Sequence, residues 1–90
     1  MTTTQTRAGM VSQLAELSVA ERTISARRRD LHDRIDTIQL SAPLDEAAVT
    51  RLGLLEGQER EVSAQRRKLH ERIDDLRAQL GLRIWRETHH

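Results

Sequence analysis

The chain has no cysteine, no phenylalanine and no tyrosine, and only one tryptophan and one proline. Without cysteine there is neither a disulfide framework nor a thiolate metal site, which suits a reducing compartment and makes the cytoplasm the expected location. With a single aromatic side chain, Trp85, to stack on bases, single-stranded nucleic-acid recognition loses its main source of grip. No apolar run is long enough for a secretory h-region or a bilayer span, so no membrane association is expected. An excess of one charge is missing too: 15 Lys and Arg stand against 14 Asp and Glu, a formal net charge of +1. Proteins that bind DNA through phosphate contacts carry a larger basic surplus, so direct DNA binding is not expected. The triplets RRR at 27–29 and RRK at 66–68 read as local features among acidic neighbours.

What is present is a composition for long, surface-rich helices, with 32% of residues charged. Ninety residues make one small domain with a thin core. Apolar residues fall at Leu14, Leu17, Ile24, Leu31, Ile35 and Ile38, and again at Leu52, Leu55, Val62, Leu69, Ile73, Leu76 and Leu80. These are helical intervals. Ser18 followed by Glu21 has capping-box spacing, and Pro43 with Asp45 and Glu46 in SAPLDE marks a bend and a new helix start.

The expected fold is therefore all-α: an antiparallel two-helix coiled-coil hairpin over 10–86, with helix 1 about 12–40 and helix 2 about 45–84. Disordered tails are expected at 1–9 and 87–90. Gly53 and Gly57 leave room for a short extra helix over 45–56, near the bend, and residues 10–16 for an earlier turn or two. At 1.5 Å rise per residue the hairpin should be about 35 to 45 Å long.

The phrase ERTISARRRDLHDRID at 21–36 returns as EREVSAQRRKLHERID at 59–74. Offset by 38 residues, positions 21–39 give 11 identities in 19, an internal duplication. Leu17, Ile24, Leu31 and Ile38 form the d half of a heptad seam, and Leu55, Val62, Leu69 and Leu76 do the same on the second helix. The a half is broken, reading Leu14, Glu21, Arg28, Ile35 and Leu52, Glu59, Arg66, Ile73. Glu21, Ser25, Arg28, His32 and Asp36 follow E-x3-S-x2-R-x3-H-x3-D, as do Glu59, Ser63, Arg66, His70 and Asp74. At 100° per residue each set lies within an arc of about 80°.

Two readings of this stripe stand. In the first the charges serve each other: an antiparallel register sets Glu21 against Arg66 and Glu59 against Arg28, with His32–Asp36 and His70–Asp74 as partners one turn apart. In the second the stripe holds a ligand. Breaking a hydrophobic seam with ion pairs contributes little net stability, because desolvation offsets most of the Coulomb gain. Nor does a structural pair need Ser, His and Asp kept in register twice. Arg can donate twice to the O6/N7 edge of guanine, carboxylates can accept from N1 and N2, and Ser, His and further arginines can donate to phosphate. No Gly-rich phosphate loop is present for a nucleoside triphosphate. A hairpin of equivalent halves has an approximate two-fold axis, and cyclic di-GMP is a two-fold ligand with two guanines and two phosphates.

The doubled phrase, in its setting ER..SA.RR.LH.RID, closely resembles the signature of the actinobacterial RsiG-type anti-sigma factors, related to aerial mycelium formation proteins. The resemblance covers about residues 14 to 80 and departs from the family's usual Gln at His32 and His70. It implies a hairpin whose two motif copies bind cyclic di-GMP and clamp a WhiG-like sigma factor away from RNA polymerase. The binding set it implies is Glu21, Ser25, Arg28, His32 and Asp36 with Glu59, Ser63, Arg66, His70 and Asp74.

Catalysis is not expected, since no HExxH or placeable Ser/His/Asp set exists, and His32 and His70 fall on opposite halves of the hairpin, too far apart to share a metal. The alternative function is a ligand-free hairpin acting as an interaction module on a transcription factor or RNA polymerase, with Leu82, Ile84 and Trp85 as added contacts. A homo-oligomer is a further expectation for a unit with so much apolar edge.

Overall fold

Two helices account for the chain, in a computed structural model that describes residues 6–41 and 43–89 and, within the last helix, not the side chains at 83, 84, 87 and 88. The first, α1, runs Arg7–Leu40, and α2 runs Glu46–Thr88. They pack on each other as an antiparallel all-α hairpin, and no strand is present among the described residues.

Local chemistry sets the helix ends. The Thr6 hydroxyl accepts the Gly9 N–H at 3.0 Å and caps α1, while the Asp45 carboxylate accepts the Ala48 N–H at 2.8 Å and caps α2. Glu46 adds negative charge in the first turn of α2, where the helix dipole favours it. At the bend the Ser41 N–H closes on the Ile38 carbonyl at 3.1 Å, and Pro43 follows where it cannot continue the helix.

Several expectations about extent are corrected. The capping box at Ser18 does not start a helix: its hydroxyl donates back to the Leu14 carbonyl at 2.8 Å inside α1, which satisfies the side chain without ending the helix. Helix α1 therefore starts five residues before the expected position, in the segment expected to be disordered. Gly53 and Gly57 do not divide α2, since two exposed or half-exposed glycines weaken a long helix without breaking it when the flanking seam residues are packed. Helix α2 likewise continues beyond 84. With 43 residues in α2, the molecule is a ribbon of 68 × 27 × 15 Å, longer than the sequence estimate. The expected tail at 1–5 and His90 lie outside the described residues.

The thin core sits at the end away from the bend. Met10, Leu76 and Leu80 are buried together, with Leu14 and Leu17 packed against them, and Leu76 is wholly enclosed. Leu31, Val62 and Ile73 continue the buried seam towards the middle. Towards the bend the packing thins: Leu40 is 85% exposed and Leu54 65% exposed. Beyond the buried seam, Leu82 and Trp85 on the last turns of α2 are exposed, the indole stacked on the His89 ring with centroids 4.5 Å apart. No helix among the described residues is long and apolar enough to cross a membrane.

This layout makes the two ends unequal under mutation. Leu76→Ala should cost about 2–5 kcal/mol, enough to unfold a small hairpin, whereas Leu54→Ala should change stability by no more than about 0.5 kcal/mol. Urea unfolding followed by far-UV circular dichroism checks both; equal losses would contradict this placement of the core.

Candidate ligand-binding site

Between the buried seam residues, Glu21, Ser25, Arg28 and His32 of α1 face Glu59, Ser63, Arg66 and His70 of α2. The eight side chains form two relays. On α1 the Ser25 hydroxyl donates to Glu21 Oε1 at 2.6 Å and accepts Arg66 Nε–H at 2.9 Å. His70 Nε2 lies 3.1 Å from the same Glu21 oxygen, and Arg66 Nε 3.4 Å from it. The second relay repeats this from the other helix. Ser63 donates to Glu59 Oε1 at 2.6 Å and accepts Arg28 Nε–H at 3.0 Å, with His32 Nε2 at 3.0 Å and Arg28 Nε at 3.5 Å from the glutamate. Corresponding distances agree within 0.1 Å, so the sequence duplication is a geometric two-fold whose axis passes near Ser25 and Ser63.

The register foreseen for the ion pairs is the one present, Glu21 with Arg66 and Glu59 with Arg28. The histidines differ from expectation. His32 and His70 reach across to Glu59 and Glu21 and not to Asp36 and Asp74. Helical side chains lean towards their own N-terminus, so a histidine turns away from an aspartate four residues on and over the turn that faces the other helix. Asp36 and Asp74 are exposed and make no hydrogen bond or ion pair with a described residue. By helical rise they stand about 30 Å apart along the ribbon. The site therefore gathers eight of the ten sequence candidates and leaves the two aspartates at its far ends.

The electrostatics follow from the relays. The hydroxyl of Ser25, then the histidine bond and charge at His70 and the Arg66 charge, hold the Glu21 carboxyl below the ordinary carboxylate value, against an opposing desolvation. Glu59 is lowered in the same way, by Ser63 first and then His32, with Arg28 contributing. The relays are loose as ion pairs: each arginine contacts its glutamate only beyond 3.3 Å through Nε, and its side chain stays 38% exposed. Exposed pairs of this kind contribute about 0–1 kcal/mol. These bonds engage Nε, so the terminal guanidinium N–H groups are not used by them.

An open depression of about 300 Å³ borders the relays on the α2 side, lined by Arg28 of α1 and by Ser63, Arg66, Arg67 and His70 of α2. A second, of about 220 Å³, lies towards the open end and is lined by Ser18, Glu21, Arg22, His70, Ile73 and Arg77. Ser18, Arg22, Arg67 and Arg77 are not candidate site residues by sequence, although Ser18 lies one turn from Glu21 and Arg67 and Arg77 lie one and two turns from His70. No group of His, Asp and Glu among the described residues could hold a metal ion. No protein-family model matches the chain, and neither the curated proteins nor the solved structures contain a match.

The lowered glutamates give a signed pH dependence. A carboxyl whose folded pKa lies below its unfolded value stabilises the fold above the unfolded pKa and loses that contribution as pH falls through the folded one. Wild type should therefore be more stable than Glu21→Gln/Glu59→Gln near neutrality, with the gap closing below about pH 4. Thermal midpoints across that range check this; a gap that stays constant with pH would contradict the relay.

Proposed function

We propose that the hairpin binds cyclic di-GMP across the two-fold relay face and, so loaded, withholds a WhiG-like sigma factor from RNA polymerase. The observation that carries this reading is the duplication itself: two equal Glu–Ser–Arg–His sets, related by a two-fold axis, bordering an open cationic depression. A ligand with two guanines and two phosphodiesters matches that symmetry. The resemblance of the doubled phrase to RsiG-type anti-sigma factors supports the sigma-factor half of the proposal.

In this reading the relays are the resting state of the site. Arg28 and Arg66 are held at Nε and lose little when they turn to the O6/N7 edge or face of a guanine. Glu21 and Glu59 then accept from guanine N1 and N2, still held by their serines. Arg67 and His70, which also line the depression, meet the phosphates. The distance between Asp36 and Asp74 is too great for one cyclic dinucleotide to touch both.

A second reading is favoured by one observation. Leu82 and Trp85 are exposed beyond the buried seam, with Leu40, Val49 and Leu54 exposed at and beside the bend. A ligand-free interaction hairpin would use those ends and leave the relay untouched.

Calorimetry distinguishes the two. Cyclic di-GMP should bind with measurable heat, GTP and duplex DNA should not, and saturating cyclic di-GMP should raise the thermal midpoint. Arg28→Ala/Arg66→Ala should weaken binding by at least about tenfold, as expected for loss of two bidentate arginine contacts. Unchanged affinity in that variant would overturn the proposal.

A further inference from the structure

Among the six residues that line the open-end depression, the two-fold that duplicates the relays fails at two, and both failures shift charge the same way. The open-end depression is lined by Ser18, Glu21, Arg22, His70, Ile73 and Arg77. Their counterparts towards the bend, at the 38-residue offset, are Glu56, Glu59, Arg60, His32, Ile35 and Gln39. Four are the same residue type. Ser18 against Glu56 and Arg77 against Gln39 make the lining at the open end more positive by two formal charges, while Glu16 and Asp75, which stand where the bend end has Leu54 and Thr37, are not among the lining residues.

The open end is also better built to hold an anion. Ile73 beneath it is buried, whereas Ile35 at the bend end is only half-buried. Arg22 and Arg77 are exposed and make no ion pair or hydrogen bond with a described residue. Side chains on antiparallel helices lean towards their own N-termini, so these two arginines, on opposite helices, lean towards each other over Ile73. His70 stands beside them on the Glu21 oxygen. The neutral Ser18 hydroxyl is turned to its own backbone and adds no negative charge where Glu56 does.

We propose that this depression is a phosphate subsite present at one end of the hairpin, so that the two half-sites of the relay face are unequal and the open-end half-site binds phosphate groups more tightly. The inference rests on the cyclic di-GMP reading for the identity of the ligand, but the asymmetry belongs to the chain. Arg77 and Glu56 are the residues that create it.

Backbone and arginine side-chain NMR shifts, followed during separate titrations with pyrophosphate and with cyclic di-GMP, test it. In wild type the signals of Arg22, His70 and Arg77 should respond at lower concentration than those of Arg60, His32 and Gln39. Arg77→Gln should weaken the open-end response about fivefold, the upper range for an exposed ionic contact. Gln39→Arg/Glu56→Ser should bring the bend end up to match. Pyrophosphate acting at the open end while cyclic di-GMP acts nowhere would sustain the subsite and remove the proposed ligand. Cyclic di-GMP shifting both ends equally, with Arg77→Gln silent, would remove the subsite and leave the ligand. No response to either probe would overturn both.

Discussion

Four charged side chains occupy seam positions where apolar residues would otherwise interdigitate, and everything else about this hairpin follows from how they are accommodated. Glu21 and Arg28 on one helix and Glu59 and Arg66 on the other are only partly exposed, and leaving one of them unpaired in a seam would cost a large share of a small domain's stability. Serine makes the arrangement possible. Placed one turn from its glutamate, it donates to the carboxylate and accepts from the opposite arginine, so three polar groups are satisfied with one short side chain. No buried polar side-chain atom among the described residues is left unpaired. The result is a seam in which hydrogen bonds lie beside buried Leu31 and Val62 at the middle, with hydrocarbon closing the open end.

The main apolar cluster thus lies at one end of the ribbon and the polar set at its middle. Met10, Leu14, Leu17, Leu76 and Leu80 hold the helices together away from the bend. The relays themselves add little, being partly exposed and joined at 3.4–3.5 Å as ion pairs. A weak, satisfied, solvent-accessible polar set is poor glue and a good place to exchange partners. A ribbon 15 Å thick leaves its faces open, so the set can be approached without unfolding anything.

The helices and their antiparallel order were legible in the sequence because the 3.6-residue period of Leu, Ile and Val and the Pro43 bend both act locally. The pairing of Glu21 with Arg66 was legible because the 38-residue repeat fixes the register once the bend is placed. The extent of α1 was not, since Thr6 and Ser18 are equally good caps on paper and only the packing of Met10 against Leu76 and Leu80 carries the helix past Ser18. The histidine partners were missed for a similar reason: spacing along one helix favours Asp36 and Asp74, while the lean of the side chain favours the glutamate across the seam. Ser18, Arg22 and Arg77 became visible only when the two helices brought together residues that no single-helix pattern connects.

A crystal structure of the chain grown with cyclic di-GMP tests the central claim most directly. The account predicts that the Arg28 and Arg66 side chains leave Ser63 and Ser25 and contact guanine, with the dinucleotide seated across the axis. Relays intact, with the compound absent or bound elsewhere on the ribbon, would contradict it.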